Sequence, residues 1–323
     1  CFSASKYETK DIILEIVEKV ADPDLLRMIN ENDAFPDKAQ FDTDVKQCVS
    51  DVVQTDEIPP GSFVKIYNVG QANCLYIYLK LQGNEKRFFF DVGRPFDELY
   101  GSPNPDLADN TVMSNNLSHI RLCKPDAIFL SHWHTDHVLG IWSLGRYVYE
   151  ESSNCRWIAP LPDVKVWKDY RVLIKYLMIK RRIKFVDSKN VKNGIVEDNN
   201  KFTLYQGQGT NLNSSSLMLK LDKTLLAGDC MYQYWPKDLQ QNLDEIEQMV
   251  VPHHGGRFDF NDEMVINQAV KMKRKKAVVC TGENLHGHPK KNHIDKLKQI
   301  LKFSSVENLK DKKATDCIIL DIG

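Results

Sequence analysis

Three imidazoles and a carboxylate fall within the six residues that follow Ser131 in Ser131-His132-Trp133-His134-Thr135-Asp136-His137, directly after the apolar run Ala127-Ile128-Phe129-Leu130. A packed core cannot hold so many titratable groups in a row unless each is paired or neutralised. Neutral imidazole and carboxylate are, however, good ligands for Zn²⁺, Mn²⁺ and Fe. The chain must therefore carry a buried strand over 126–130 straight into a ligand-bearing loop and then a helix. His132 and His134 are two apart, so in extended backbone they point the same way. Asp136 and His137 turn toward a second position as the helix begins. Two ligand pairs separated in this way suit a two-metal site with ions roughly 3.5–4 Å apart.

The rest of the pattern alternates. From residue 61 onward 64–69 alternates in polarity, 74–81 is rich in Tyr, Ile and Leu, and 87–90 runs into Asp91-Val92-Gly93. Residues 94–116 form a Pro/Asn/Asp/Gly segment of a length that belongs to functional or mobile loops. A short helix over 115–123 leads back to the cluster's strand. Beyond it, helices are predicted over 138–149, 163–180, 236–247, 261–270 and 290–302, and strands over 156–159, 183–186, 202–206, 215–221, 224–228, 248–252, 276–281 and 316–321. Helices between sheet strands, with antiparallel pairs such as 215–221/224–228, predict an α/β (α+β) fold in four layers, an αββα sandwich.

Composition matters here through its distribution. The net charge of −1 discourages a polyanionic partner only until the chain is divided. Residues 1–60 hold 6 lysines and arginines against 14 aspartates and glutamates, a balance of −8; residues 61–323 hold 37 against 30, a balance of +7. Helical spacing over 9–20, a restart at Asp22-Pro23 and a helix over 44–53 precede the break Ile58-Pro59-Pro60-Gly61. Residues 1–58 thus read as a small acidic helical extension and 59–323 as the catalytic body. The extension is a candidate contact for a protein partner, or for the remainder of a larger parent chain. The 8 cysteines form no C-x-x-C pair, and Cys74, Cys280 and Cys317 sit in apolar runs where a free thiol packs as a small hydrophobe. A reducing cytosol is expected, hence a cytoplasmic protein. No apolar run approaches the ~20 residues of a membrane span, so no membrane partner is expected.

With these residues in view, the chain resembles the metallo-β-lactamase fold hydrolases, whose signature is His-x-His-x-Asp-His after a buried strand. Phe89-Phe90-Asp91-Val92-Gly93 is similar to their first motif and Leu225-Leu226-Ala227-Gly228-Asp229 to the strand ending in their bridging aspartate. Within the superfamily the likeness is to the ComEC type of competence and DNA internalisation. It rests on Val69-Gly70-Gln71-Ala72-Asn73, on Asn213-Ser214, on Val251-Pro252-His253-His254-Gly255-Gly256 and on Gly287-His288-Pro289. It covers about 61–323 and leaves out the acidic extension.

The resemblance implies two divalent ions, Zn²⁺ or Mn²⁺. His132 and His134 would hold the first, Asp136 and His137 the second, with Asp229 bridging and Gly228 allowing close approach. One of His253 and His254 would complete the second site; His253 is the expected ligand and His254 the residue that meets substrate. Asp91 would orient a ligand histidine. Asp136, His254 and His288 are the catalytic candidates. No histidine lies between His137 and His253, where most members have one, so Asn211, Asn213 or water would take that corner of a more open first site. A hydroxide shared by two cations is nucleophilic at neutral pH, so the chemistry needs no further nucleophile.

Two basic clusters point to the substrate. Lys175, Lys180, Arg181, Arg182 and Lys184 close one helix, with Trp167, Tyr170 and Tyr176 interleaved, and Lys271, Lys273, Arg274, Lys275 and Lys276 precede a strand. Phosphate backbones bind such patches by counterion release and aromatic rings stack on bases. Lys180, Arg181, Arg182 and Lys275 are the residues singled out for substrate binding. The expected function is a metal-dependent phosphodiesterase, a nuclease acting on DNA or RNA. The alternatives are a hydrolase of a small ester, thioester or lactone, and a non-catalytic partner-binding module.

Overall fold

A computed structural model describes residues 34–53, 57–81, 83–93, 123–138, 140–141, 154–199, 201–268, 274–282, 287–312 and 317–323. The helices expected over 9–20, from Asp22 and over 115–123, the segment 94–116 and most of the helix over 138–149 lie outside these residues.

Six helices and fourteen strands carry the architecture among the described residues. The strands are β1 (Phe63–Tyr67), β2 (Cys74–Leu81), β3 (Asn84–Val92), β4 (Ala127–Phe129), β5 (Arg156–Pro160), β6 (Ile183–Val186), β7 (Ile195–Asn199), β8 (Phe202–Gln206), β9 (Leu217–Leu221), β10 (Thr224–Leu226), β11 (Gln248–Val250), β12 (Arg274–Val279), β13 (Phe303–Asn308) and β14 (Cys317–Asp321). The helices are α1 (Val45–Val53), α2 (Thr135–Val138), α3 (Val164–Ile179), α4 (Lys237–Gln241), α5 (Phe260–Ile266) and α6 (Lys291–Gln299). One sheet runs β14-β1-β2-β3-β4-β5-β6 and the other β13-β12-β11-β10-β9-β8-β7. Both change from antiparallel to parallel pairing midway, at β3 in the first and at β10 in the second.

Alternation explains the layering. Phe88 and Phe90 of β3 enter the core between the sheets with Leu75, Phe129, Phe202, Leu219 and Val278, while Phe89 points outward to a separate cluster. That outer cluster is closed by Trp167, Tyr170, Leu173 and Leu177 of α3. On the far face Met218, Leu225 and Met249 pack with Tyr232, Ile266 and Leu297. Helix, sheet, sheet, helix is the predicted sandwich.

The helix expected over 44–53 is present as α1, and it is built into the molecule. Val45, Cys48, Val49 and Val53 join the core between the sheets, and the helix packs on the edge strands β6 and β7. Phe41 stacks edge-on against Phe185 and Trp167, 5.1 and 6.3 Å between ring centres. The acidic side chains nearby meet basic ones of the body: Asp51 pairs with Arg156 at 3.2 Å and Asp42 with Lys184. Deleting 1–58 would therefore open the core as well as unmask these cations. Strands β7 and β13 escape the sequence reading because each is a sheet edge with a largely polar sequence, Ile-Val-Glu-Asp-Asn and Phe-Ser-Ser-Val-Glu-Asn. Edge strands need no second apolar face.

Candidate metal centre

The C-terminal ends of the parallel strands from both sheets meet at one rim. Open α/β sheets place their ligand crevices there, where strand order reverses. β3 delivers Asp91, the end of β4 leads to Ser131 and His132, β10 to Asp229, β11 to His253 and His254, and β12 to Cys280. The side chains of Asp91, Ser131, His132, His137, Asp229 and His254 are all buried.

Asp91 sits at the bottom of this arrangement in the left-handed region, φ 59°. One carboxylate oxygen accepts from the Ser131 backbone N–H at 2.7 Å; the other accepts from the Ser131 hydroxyl at 2.8 Å and from His137 Nδ1 at 2.7 Å. His132 Nδ1 lies 3.0 Å from the same hydroxyl, whose lone pair accepts from it. His254 Nδ1 donates to the Cys280 carbonyl at 2.7 Å. The bonds fix the tautomers. Each of the three rings spends its Nδ1 proton on the protein and turns Nε2 inward. His137 Nε2 lies 3.2 Å from Asp229 Oδ1, His254 Nε2 lies 3.2 Å from Asp136 Oδ2, and His132 Nε2 lies 3.8 Å from Asp229 Oδ2.

These atoms form two overlapping groups, His132/His137/Asp229 and Asp136/His137/His254, with donor atoms within 4.8 Å of one another in each. His132 Nε2, His137 Nε2, His254 Nε2 and Asp229 Oδ1 are buried and make no hydrogen bond. Buried polar atoms almost always have partners. Four that lack one and converge, three imidazole nitrogens and a carboxylate oxygen, fit divalent cations.

The electrostatics agree. Burial works against charge on His137, but Asp91, Asp229 and Asp136 overrule it and hold its pKa well above the ordinary imidazole value. Burial is likewise outweighed at His254 by Asp229 and Asp136, and at Asp229, which His137 and His254 hold well below the carboxylate range. Burial, reinforced by the neighbouring His137 charge, pushes His132 well below its usual value. Protons and cations thus compete for the same Nε2 atoms, and metal affinity falls as pH drops.

Several placements differ from expectation. His254, not His253, enters a ligand group. Both residues take left-handed backbone, φ 49° and 50°, a costly arrangement for adjacent non-glycine residues that over-determined functional sites tolerate. It buries the His254 ring and leaves His253 on the open side, side chain 33% exposed, 3.8 Å from Asp229 Oδ2. His134, half-buried, meets the His132 ring edge-on, 4.5 Å between ring centres, and stands outside both groups. Asn213 stands beside His253: its Nδ2 lies 3.4 Å from His253 Nε2, and its Oδ1 is buried without a partner. His288 stands 5.4 Å from the His253 ring. Gly228, φ 54°, is required by the Ser131 side chain, which a Cβ would approach to 2.8 Å. Sequence reasoning passes over Ser131 as a hub, although it opens the quoted motif.

The four residues singled out for substrate binding stand near strand starts. Lys180 caps α3, Arg181 follows in left-handed backbone, and the Arg182 carbonyl accepts from Trp157 N–H beside the start of β6. Lys275 stands near the start of β12, 2.6 Å from Glu247. Lys180, Arg181 and Arg182 thus lead into the N-terminal end of β6, and Lys275 stands at that of β12, whose opposite end leads to Cys280. Lys271 and Lys273 lie outside the described residues.

A family model of the metallo-beta-lactamase superfamily matches residues 67–234, over half of the chain, and the protein belongs to that superfamily, whose members are generally hydrolases. The matched span includes Asp91, the 131–137 loop and Asp229. Among solved structures, a diphosphatase from the PhnP family is similar at 13% identity over 78% of this chain and 85% of its own, with a TM-score of 0.43. Zinc-bound PqqB from Methylobacterium extorquens is similar at 14% identity over 76% of this chain and 85% of its own, with a TM-score of 0.36. No curated protein matches. Among the described residues no helix is long and apolar enough to cross a membrane.

Asp91→Asn should weaken metal binding about 10- to 100-fold, because an amide nitrogen facing His137 Nδ1 cannot accept its proton and the ring loses its orientation. Competition with a chromophoric chelator measures this. Wild-type affinity in the variant would remove Asp91 from the orienting role.

Proposed function

We propose that the protein is a metal-dependent phosphodiesterase of the ComEC type that cleaves nucleic acid. The observation that carries the hydrolase part is the convergence of four buried, partnerless donor atoms on one rim. His132 and Asp229, with His134 beside them, would hold one divalent ion and Asp136, His137 and His254 the other, since the single free nitrogen of His137 can serve only one of them. Bound there, Zn²⁺ or Mn²⁺ would activate water at neutral pH and neutralise charge growing on a phosphoryl oxygen. The chain's own residues do the rest. Asp91 and Ser131 keep the His137 and His132 rings turned inward, the Cys280 carbonyl does the same for His254, and His288, beside His253 on the open side, gives a proton to the leaving oxygen.

Support for a phosphodiester comes from the motifs that carry the ComEC likeness, all of which stand around this rim. The Asn73 N–H donates to the Asp136 carbonyl at 3.3 Å, and Asn213 and His288 both flank His253. Arg257 follows Gly256 directly and Lys290 lies two residues beyond His288, so cations are close in sequence to the rim. The remoteness of Lys180, Arg181, Arg182 and Lys275 favours a second reading, hydrolysis of a small diester or ester.

One experiment separates the readings. Single- and double-stranded DNA and RNA, and bis(p-nitrophenyl) phosphate as the small diester, are offered to protein loaded with Zn²⁺ or Mn²⁺ over a salt series. Nucleic-acid cleavage that falls steeply with salt is expected. Turnover of the small diester alone, insensitive to salt, would replace the first reading with the second.

A further inference from the structure

A buried hydrogen-bonded strut ties together the loops that carry Asp229, His253, His254 and His288. Tyr232 lies three residues past Asp229 and His293 in the first turn of α6, and both are fully buried. His293 Nδ1 stands 3.1 Å from the Gly256 carbonyl, and its Nε2 stands 3.0 Å from the Tyr232 hydroxyl. A carbonyl only accepts, so Nδ1 carries the ring's proton and Nε2 accepts from Tyr232. Burial, opposed only in part by the bonds to the glycine carbonyls, pushes the His293 pKa down to about 4, so the ring is neutral in this role at neutral pH.

The same turn of α6 grips the loop at two further points. Lys290 N–H donates to the Gly255 carbonyl at 2.8 Å and Asn292 Nδ2 to the Phe258 carbonyl at 3.3 Å. The loop so held is the one that follows His253 and His254 in their left-handed conformations. Its glycines leave no slack: a Cβ on Gly256 would approach the His288 ring to 2.7 Å, and one on Gly255 would approach Pro289 to 2.8 Å. Phe258 fills the space between, 5.8 Å from the Tyr232 ring and 5.1 Å from the His293 ring.

We infer that Tyr232 and His293 are positioning residues for the metal centre: their hydrogen-bond relay sets the distance between the Asp229 carboxylate and the His254 ring. Neither residue touches the donor atoms. The relay reaches Asp229 through the short segment 230–231 and His254 through Gly255, so it acts on donors that belong to both groups. The inference rests on the metal-binding reading given above.

The test uses the full chain and three variants. Tyr232→Phe removes only the hydroxyl, His293→Leu removes both bonds, and His293→Asn restores a donor where Nδ1 stood. Zn²⁺ affinity is measured by chelator competition, the ligand field from the visible bands of the Co²⁺-loaded protein, and stability from melting of the metal-free chain. His293→Leu should bind Zn²⁺ at least about tenfold more weakly with displaced Co²⁺ bands, in line with other groups that orient ligands. His293→Asn should recover most of the affinity, and Tyr232→Phe should fall between. Variants that melt earlier yet keep wild-type Zn²⁺ affinity and Co²⁺ bands would overturn the positioning role, leaving the relay a packing feature. If His293→Leu does not fold, Tyr232→Phe decides by the same two readouts. A wild-type chain that binds neither ion overturns the metal reading and this inference together, a result distinct from unchanged variants.

Discussion

Asp229→Ala should abolish hydrolysis while leaving the protein folded. Among the described residues its carboxylate is the one whose oxygens approach His132, His137, His253 and His254 together, at 3.8, 3.2, 3.8 and 3.7 Å. Removing it takes a ligand from the first group and the charge shared by both. A catalytic cation contributes several kcal/mol of transition-state stabilisation, so losing its hold predicts a rate loss of at least about 10³-fold. The fold should survive, because the inward oxygen Oδ1 makes no hydrogen bond. Protonation of His137 and His254 would be favoured less, although Asp91 still faces His137 and Asp136 still faces both rings. Metal content per chain, melting temperature and cleavage rate together decide the matter. An Asp229→Ala protein that keeps full metal and full rate would remove this rim as the centre of catalysis.

Gly93→Ala should instead destroy the site by way of the backbone. A Cβ at this position would lie 1.8 Å from the Asp136 carbonyl oxygen and 2.7 Å from that of Asn73. Both neighbours are main chain and cannot swing aside. Gly93 N–H also donates to the Asn73 carbonyl at 2.7 Å, so β3, the 69–73 loop and the start of α2 are locked at one point. Relief requires moving Asp136 and His137, which belong to the candidate ligand groups. A loss of more than about 3 kcal/mol is expected, at the upper end of overpacking, together with loss of metal. Gly83→Ala is the control: nothing lies within 4 Å of its Cβ, and only the left-handed backbone, φ 74°, opposes the substitution. It should cost about 1 kcal/mol and leave metal binding intact. Thermal melts and metal analysis of the two variants make the comparison, and a Gly93→Ala protein with native melting and metal would refute it.

The layer order was legible because alternation and helical spacing report which face of an element is buried, as Phe88, Phe89 and Phe90 illustrate. The polar edge strands β7 and β13 were not, since an edge has too little buried face to leave a pattern. The gathering of Asp91, His132, His137 and Asp229 could be anticipated because each lies at or beyond the end of a strand that reaches the same rim. The choice between His253 and His254 could not. Two adjacent residues in left-handed backbone abolish the rule that neighbours face opposite ways, and no glycine marks either position. Nor could the basic clusters be placed relative to the rim from their charge alone. Lysines that precede a parallel strand must sit at the end opposite to the residues that follow it, and the charge count ignored that direction.

The pairing of β1 with β14 sets the order in which the molecule can be finished. Val64 and Ile66 reach their partners Leu320 and Ile318 only after nearly the whole intervening chain has been synthesised. Contacts this distant in sequence form slowly, and until they form β1 is a bare apolar edge of the kind that recruits other chains. Nascent or C-terminally clipped protein is therefore the species at risk of self-association, and chaperones that shield strand edges should matter to its yield more than to its finished state.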